Sequence, residues 1–430
     1  SMKRHALLFA GILTSAMTTP AQNTPSSVDP AALEKWRSLR FGMFIHWGPI
    51  AQLGKEIGWS RGGPDLPEET YDNLYKTFNP EKFNADEWVT AAKTAGMKYL
   101  VLVTKHHDGF CLWDTKQIDY NIMKTPFKRD VVKELAEACK RHGLAFGCYY
   151  STLDWWHPDF PRTGQAGKVE RETHNLDRYT EYLKAQTAEL LTAYGPLLTL
   201  WFDVPQCFDV ARGQGVIHHV RSLQPDLIVN DRTGAPGDYS TPEQKIGTFD
   251  RARPWESCMT MSAKNHWAWH ENDGVKPLSD LIQMIVQSAG GDGNLLLNVG
   301  PRSDGTIEKA EIARLAQIGE WMKVHGEGIY GTRGGPYKPG PWGASTCKDN
   351  AVHLFLHSFD ENGVATLPAL SRKVLSAKLL AGGKVDVKQD ASALTVTVPP
   401  ADQQEHVTVV RLELDGPAFE IEPIAVPEPQ

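Results

Sequence analysis

The fold class predicted for this 430-residue chain is α/β, a (β/α)8 TIM-like barrel followed by a C-terminal all-β sandwich. Three observations predict it. From Ala31 onward, apolar strand-like runs alternate with helix-like ones, the pattern of a parallel sheet with crossover helices. Five successive strand ends carry chemically active side chains: His46, His106 with His107, Tyr149, Asp203 and Arg232. In a barrel, all those ends open onto one face, so the residues converge on one pocket. After Gly326 helical periodicity stops, and short alternating segments between Gly- and Pro-containing turns take over, as in a sandwich.

Residues 1–22 carry a basic start, Lys3-Arg4-His5, then the apolar run from Ala6 to Leu13, then small and polar residues. That is the plan of a secretory signal peptide, too short to span a bilayer, and Ser1 ahead of Met2 reads as an added residue. An exported protein, periplasmic or secreted, with no membrane partner is expected. Residues 23–30 form a polar linker, and the catalytic barrel is assigned to 31–335. Its first strand, Phe41 to Trp47, contains His46 and leads into a long Gly- and Pro-rich loop, Gly48 to Pro80, that carries Trp59. A helix from Asp86 to Ala95 precedes the strand Tyr99 to Lys105, which runs into His106-His107-Asp108. Helix Asp130 to His142 and strand Leu144 to Tyr150 follow. Helix Leu176 to Tyr194 then leads to Leu197 to Asp203, an apolar run flanked by Gly195-Pro196 and Pro205 that reads as a buried parallel strand ending on a carboxylate. Trp201, two residues before Asp203, shares its face. Helix Val216 to Leu223 precedes strand Asp226 to Asn230, just before Arg232. Two stretches compete for the next strand, Ile246 to Asp250 and Trp255 to Met261. Helix Leu278 to Ala289, strand Asn294 to Val299 and helix Ile307 to His325, capped by Asp304 or Thr306, complete what the pattern assigns; the eighth strand stays unplaced. The sandwich is assigned to 336–422, with strands among Val352 to Phe359, Val374 to Leu380, Leu394 to Val398 and His406 to Leu414. Residues 423–430 are a Pro-rich tail.

A hydrophobic fraction of 41% with 23% charged residues is that of a globular protein. The formal charge of −7 argues against a nucleic-acid partner, since phosphate binding needs a basic face. Thirteen tryptophans suit a glycan ligand, because the indole face matches the apolar side of a sugar ring. None of the six cysteines sits in a Cys-x-x-Cys pair, so no redox or metal motif is spelled out. His106 and His107 are strand neighbours pointing to opposite faces, and no His-x-His or His-Glu-x-x-His pair occurs, so neither metal nor cofactor is expected. A Gly-x-Ser-x-Gly nucleophile elbow is also missing. A paired-carboxylate mechanism remains. Retaining glycoside cleavage needs one ionised carboxylate as nucleophile and a protonated one about 5 to 5.5 Å away as acid. Asp203 fits the first role, with Arg232 or a histidine to keep it charged. Glu243 and Glu256 are the candidates for the second, and spacing does not choose between them.

Six blocks, Phe41-Gly42-Met43-Phe44-Ile45-His46-Trp47-Gly48, Lys105-His106-His107-Asp108-Gly109-Phe110, Tyr149-Tyr150-Ser151, Leu200-Trp201-Phe202-Asp203, Asn230-Asp231-Arg232 and the run from Gly293 to Pro301, together resemble the α-L-fucosidases of glycoside hydrolase family 29. The resemblance runs in order through nearly the whole barrel. It implies a retaining exo-hydrolase that removes terminal α-L-fucose from an oligosaccharide or glycoconjugate without metal or cofactor. It places the nucleophile at Asp203. It gives His46, His106, His107, Tyr149, Trp201 and Arg232 the task of holding the fucose hydroxyls, the ring oxygen and the nucleophile, and Trp267 that of packing on the C5 methyl. Counting on from Arg232 favours Glu243 as acid/base, with Glu256 as runner-up. The chain departs from the family where an adjacent Glu-Trp pair is common: here the residues are Glu56-Ile57-Gly58-Trp59, and Trp59 keeps the aromatic role. The competing expectations are a non-catalytic fucose-binding protein and a barrel glycosidase for another sugar. A homo-oligomer is the default assembly.

Overall fold

The structure is a computed structural model that describes residues 27–164 and 170–428; the signal-peptide segment 1–22 lies outside the described residues. Seven parallel strands form its main sheet: β1 (Phe41–Ile45), β2 (Tyr99–Lys105), β3 (Ala145–Ser151), β4 (Thr199–Asp203), β5 (Ile228–Val229), β6 (Glu256–Thr260) and β7 (Asn294–Val299). Their order, β5-β4-β3-β2-β1-β7-β6, leaves β5 and β6 as edges. The extended segment 239–243 bridges those edges. Asn230 pairs with Tyr239, Ser240 with Trp255 and Glu243 with Cys258, all in the parallel sense. This segment is the eighth stave that the pattern left unplaced. It lacks an apolar run, and Pro242 has no N–H to give a ladder, so it reads as loop in the sequence. Of the two stretches competing for the next strand, the later one is regular, and 246–250 is irregular.

The barrel helices are α1 (Pro30–Leu39), the short α2 (Glu68–Asn73) inside the long first loop, α3 (Ala85–Thr94), α4 (Val131–His142), α5 (Leu176–Tyr194), α6 (Val210–Leu223), α7 (Leu278–Gly290) and α8 (Lys309–His325). Asn84, Asp130, Asn175 and Asp209 cap α3 to α6 by accepting a first-turn N–H. Helix α6 starts six residues earlier than its periodicity suggests, because Asp209 caps a first stretch containing Gly213 and Gly215. A Cβ on Gly213 would sit 2.7 Å from the Ala235 amide, so that glycine lets the helix pack against the following loop. Neither Asp304 nor Thr306 caps α8; Asp304 Oδ1 instead accepts from the Thr306 amide and hydroxyl, which closes a turn before the helix.

Strand alternation divides the core. Leu200 and Phe202 of β4 pack outward under the helices, whereas Trp201 joins Phe44, Tyr99, Val101, Tyr149, Tyr239, Cys258 and Leu296 along the barrel axis. Helix α1 plugs the amino end, where Trp36 belongs to the same interior cluster and its carbonyl accepts from Asn294 Nδ2 at 3.1 Å.

The carboxy-terminal strands are β8 (Arg333–Gly334), β9 (Gly343–Lys348), β10 (Ala351–Leu356), β11 (Val364–Pro368), β12 (Val374–Leu379), β13 (Asp386–Gln389), β14 (Ala393–Thr397) and β15 (Thr408–Leu414). They form two antiparallel sheets, ordered β12-β15-β10-β9-β8 and β11-β14-β13, that enclose one apolar cluster including Val352, Leu354, Leu394, Val396 and Leu412. Ala344, Phe355, Val407 and Val409 belong instead to the barrel's outer core, so the larger sheet packs on the barrel through its other face. Asp292, fully buried, ties the two regions by pairing with Arg40 at 2.6 Å and Arg333 at 2.8 Å.

Candidate active site

The carboxyl ends of the strands enclose a cleft lined by His46, Trp59, His106, Tyr149, Trp201, Asp203, Arg232, Glu243 and Trp267, with Phe44 and Cys258 below. Asp203 is the last residue of β4, on the same face as Trp201. Its Oδ2 accepts from the Tyr149 hydroxyl at 2.7 Å, and its Oδ1 accepts from Arg232 Nη1 at 2.8 Å and from the Val204 amide at 3.0 Å. Val204 holds φ at 44°, a conformation costly for a β-branched residue, and this sharp turn directs its amide back at the carboxylate. Arg232 is fixed in turn: its Nε donates to Thr241 Oγ1, its Nη2 to the Thr241 carbonyl, and its guanidinium lies 4.8 Å above the Trp201 ring. The same Nη1 that reaches Asp203 also reaches Glu243 Oε2 at 2.9 Å. The two carboxylate oxygens are therefore no more than about 5.7 Å apart. That bound agrees with the about 5 to 5.5 Å between the carboxyl groups of retaining glycosidases and lies below the about 6.5 to 9.5 Å of inverting ones.

The histidines are neutral. Burial lowers His46 to about 4 and pushes His106 and His107 well below the ordinary imidazole range. The tautomers of His46 and His107 follow from their partners. Asn298 Nδ2 donates to the Trp267 carbonyl, so its Oδ1 faces His46 and accepts from Nδ1 at 2.6 Å. Ser151 donates its hydroxyl proton to the Leu153 carbonyl, so it accepts from His107 Nδ1 at 2.7 Å. Both rings thus keep an Nε2 lone pair, and that of His107 lies 3.7 Å from Asp203 Oδ2 with no hydrogen-bond partner among the described residues. Such lone pairs are hydrogen-bond acceptors for sugar hydroxyls. Trp267 packs 4.9 Å from the His46 ring as an apolar wall, and Trp59, 40% exposed, stands edge-on to His107 at the rim.

Of the two acid candidates, only Glu243 reaches the cleft. It ends the eighth stave, with its side chain 44% exposed beside Arg232. Glu256 is the first residue of β6 and lies at the opposite end of its strand, fully buried. It accepts from Tyr99 Oη at 2.5 Å and Trp201 Nε1 at 3.0 Å, and burial pushes its carboxyl up to about 7. Gly42 makes this buried site possible, since a Cβ there would lie 2.6 Å from the Tyr99 ring.

Three residues around the cleft, Asn298, Thr241 and Ser151, carry roles that no motif spacing assigns, and a fourth, Glu56, has a role that its departure from the family pattern left open. Asn298 is the penultimate residue of β7, close enough to the strand's carboxyl end for the strand-end argument to reach it. Thr241 holds Arg232 from the unplaced stave, and Ser151 orients His107. Glu56, in the place of the departed Glu-Trp pair, lies outside the cleft and accepts from the Trp267 and Ala268 amides at 2.9 and 2.7 Å, which fixes the loop that presents Trp267.

Comparison with known proteins gives one consistent answer. A family model described as Alpha-L-fucosidase matches residues 10–327. Human plasma alpha-L-fucosidase is 30% identical over 400 residues, which cover 84% of each chain. The solved structure of alpha-L-fucosidase isoenzyme 1 from Paenibacillus thiaminolyticus superposes with a TM-score of 0.82 at 32% identity, covering 89% of this chain and 99% of that one. A GH29 alpha-L-fucosidase from Bacteroides thetaiotaomicron, described as a trapped covalent intermediate in complex with 2-fluoro-fucosyl fluoride, matches with a TM-score of 0.82 at 27% identity over 91% of this chain and 97% of that one.

Proposed function

The chain belongs to the α-L-fucosidase family, glycoside hydrolase family 29, and from that premise we propose that its cleft hydrolyses a terminal α-L-fucosyl linkage with retention, Asp203 acting as nucleophile and Glu243 as acid/base. The observation that carries the assignment is the single Arg232 Nη1 shared by both carboxylates, which sets an upper limit on the separation of the two oxygens it holds. Of the two Asp203 oxygens, Oδ2 has one donor and Oδ1 has two, so Oδ2 keeps the freer lone pair for attack on the anomeric carbon. In the first step Asp203 bonds to that carbon, the glycosidic C–O bond breaks, and Glu243 gives its proton to the departing oxygen. For this the glycosidic oxygen replaces Arg232 as the partner of Glu243. In the second step Glu243 takes a proton from water, the water oxygen attacks the anomeric carbon from the face the aglycone left, and Asp203 is released. Arg232 and the Tyr149 hydroxyl hold Asp203 in place throughout. The neutral His46, His106 and His107 are assigned to the fucose hydroxyls, Trp267 to the C5 methyl, and Trp59 to the rim where the next sugar enters. A site built to bond particular hydroxyls rejects sugars that lack them. Glu256 is assigned a supporting role under Trp201.

The catalytic unit is the barrel, and the sandwich that braces it begins at β8, Arg333–Gly334, just ahead of the 335/336 boundary expected from the sequence. Fucosylated oligosaccharides or glycoconjugates are the substrates. No helix among the described residues is long and apolar enough to cross a membrane. The signal-peptide pattern of residues 1–22 and the likeness to a plasma enzyme support export.

The test is to follow an aryl α-L-fucoside by proton NMR and record which anomer of fucose forms first. α-Fucose is expected. β-Fucose appearing first overturns the nucleophile assignment, and binding of fucose without turnover makes the cleft a lectin-like site.

A further inference from the structure

We propose that the loop joining β6 to α7 is a binding site for a divalent cation of the zinc class, with His266, His270 and Asp273 as ligands and Glu311 as the fourth side chain. The first three each offer a ligand atom, all within 4.8 Å of one another. They line a cavity of about 240 Å3, behind the loop that presents Trp267, together with Glu308 and Glu311. His270 Nδ1 lies 3.0 Å from the Ala268 carbonyl, which can only accept, so Nδ1 carries the proton and Nε2 is free to ligate. Backbone carbonyls commonly orient metal-binding imidazoles in this way. His266 Nδ1 donates to Asp273 Oδ1 at 2.9 Å, which orients the ring and leaves Nε2 to ligate.

Glu311 is the independent observation. It sits in the first turn of α8, 9% exposed, and its buried Oε2 has no hydrogen-bond partner among the described residues. Glu311 lines the same cavity as Glu308 and Asp273, so its unpartnered oxygen stands among carboxylates. Lys276 is not its partner, because its Nζ donates to the Thr260 carbonyl, the Thr260 hydroxyl and the Ser262 carbonyl. A simple His266–Asp273 hydrogen bond with stacked imidazoles at 3.7 Å accounts for the histidines and leaves Glu311 unexplained. A bound cation accounts for both, since a buried carboxyl beside other carboxylates is what a positive charge stabilises. Two imidazoles with carboxylates suit zinc-class ions, whereas calcium and magnesium prefer oxygen alone. His266, His270 and Asp273 stand on one loop and Glu311 faces the same cavity from α8, so side-chain movement within the cavity brings the loop ligands to bonding distances of about 2.0 to 2.2 Å. Metal here ties Trp267 to α8 and stiffens the apolar wall of the cleft.

The test uses the whole protein after chelator treatment, with the catalytic cleft filled by L-fucose so that His106 and His107 do not compete. Co2+ is titrated while its d–d absorption is followed, and Zn2+ is then added to displace it. One Co2+ per chain is expected, and Zn2+ at a hundredfold excess over its Kd is expected to raise Tm by about 2 to 5 °C. His270→Gln and Asp273→Asn, both at partly exposed positions, are each expected to weaken Co2+ binding at least tenfold while keeping the metal-free Tm. Absence of Co2+ binding to the wild-type protein overturns the proposal, and so does undiminished binding in either folded variant. None of these readouts depends on turnover, so they leave the fucosidase assignment to its own test.

Discussion

Replacing Glu243 by alanine separates the two halves of the reaction. The side chain is 44% exposed and among the described residues its ion pair is with Arg232, which keeps its bonds to Asp203 and Thr241, so the fold loses at most about 1 kcal/mol. The chemical loss is larger and depends on substrate. General acid catalysis by a positioned carboxyl contributes about 10²- to 10⁴-fold, or about 3 to 5 kcal/mol of barrier, wherever the leaving oxygen needs a proton. A fucosyl disaccharide, which releases an alcohol, should therefore lose about 10²- to 10⁴-fold in kcat/KM, whereas nitrophenyl fucoside, which releases a stable phenolate, should lose less than about tenfold. The two substrates are compared side by side by steady-state kinetics, with and without azide. In Glu243→Ala, azide needs no base and should trap the fucosyl-enzyme on the face the aglycone left, giving α-fucosyl azide. In Asp203→Ala, azide should take the place of the missing carboxylate and give β-fucosyl azide. Equal loss on both substrates with no azide product refutes the assignment, and a graded loss in Glu256→Gln instead transfers the role to Glu256.

Two further predictions concern buried charge. The Glu256 carboxyl is raised by burial from 4.5 to about 7, so the folded state holds a proton that the unfolded chain has released between those values. Stability should fall as pH rises from about 4.5 to about 7, and be flat above, with an upper bound of about 3 kcal/mol from this group. Glu256→Gln should remove that slope; urea unfolding at pH 4.5 and 7.5 that gives the same difference for both proteins contradicts it. Lys105 Nζ pairs with Asp154 Oδ2 at 2.9 Å with both side chains fully buried, so Lys105→Met leaves a buried carboxylate without its cation, held only at Oδ1 by the Trp156 and His157 amides. A loss of about 3 to 5 kcal/mol in denaturant unfolding is expected, and a loss under 1 kcal/mol would show that Asp154 is relieved in another way.

The sequence by itself determined the class of fold and most of the constellation. Apolar runs such as Leu197 to Phe202 can only be buried strands, and a parallel sheet gathers their carboxyl ends, so His46, His106, Tyr149, Asp203 and Arg232 could be grouped before any coordinates. The caps Asn84, Asp130, Asn175 and Asp209 fix the helix starts locally, which is why α3, α4 and α5 fall within a residue of their expected bounds. Tertiary structure alone decided what depends on register between distant segments. The stave at 239–243 is held by single bridges to β5 and β6, carries no periodic signal, and yet places Glu243 at the open end of the barrel. Glu256, an equal candidate by spacing, is put at the closed end because it begins its strand where Glu243 ends one. Orientation was likewise invisible: His46 depends on Asn298, which lies 252 residues away, and the loop of Trp267 on Glu56, which lies 211 residues away, and only folding brings such partners within hydrogen-bonding reach. Local sequence fixes which face of a strand or helix a residue occupies, and the closure of the barrel fixes which residues meet.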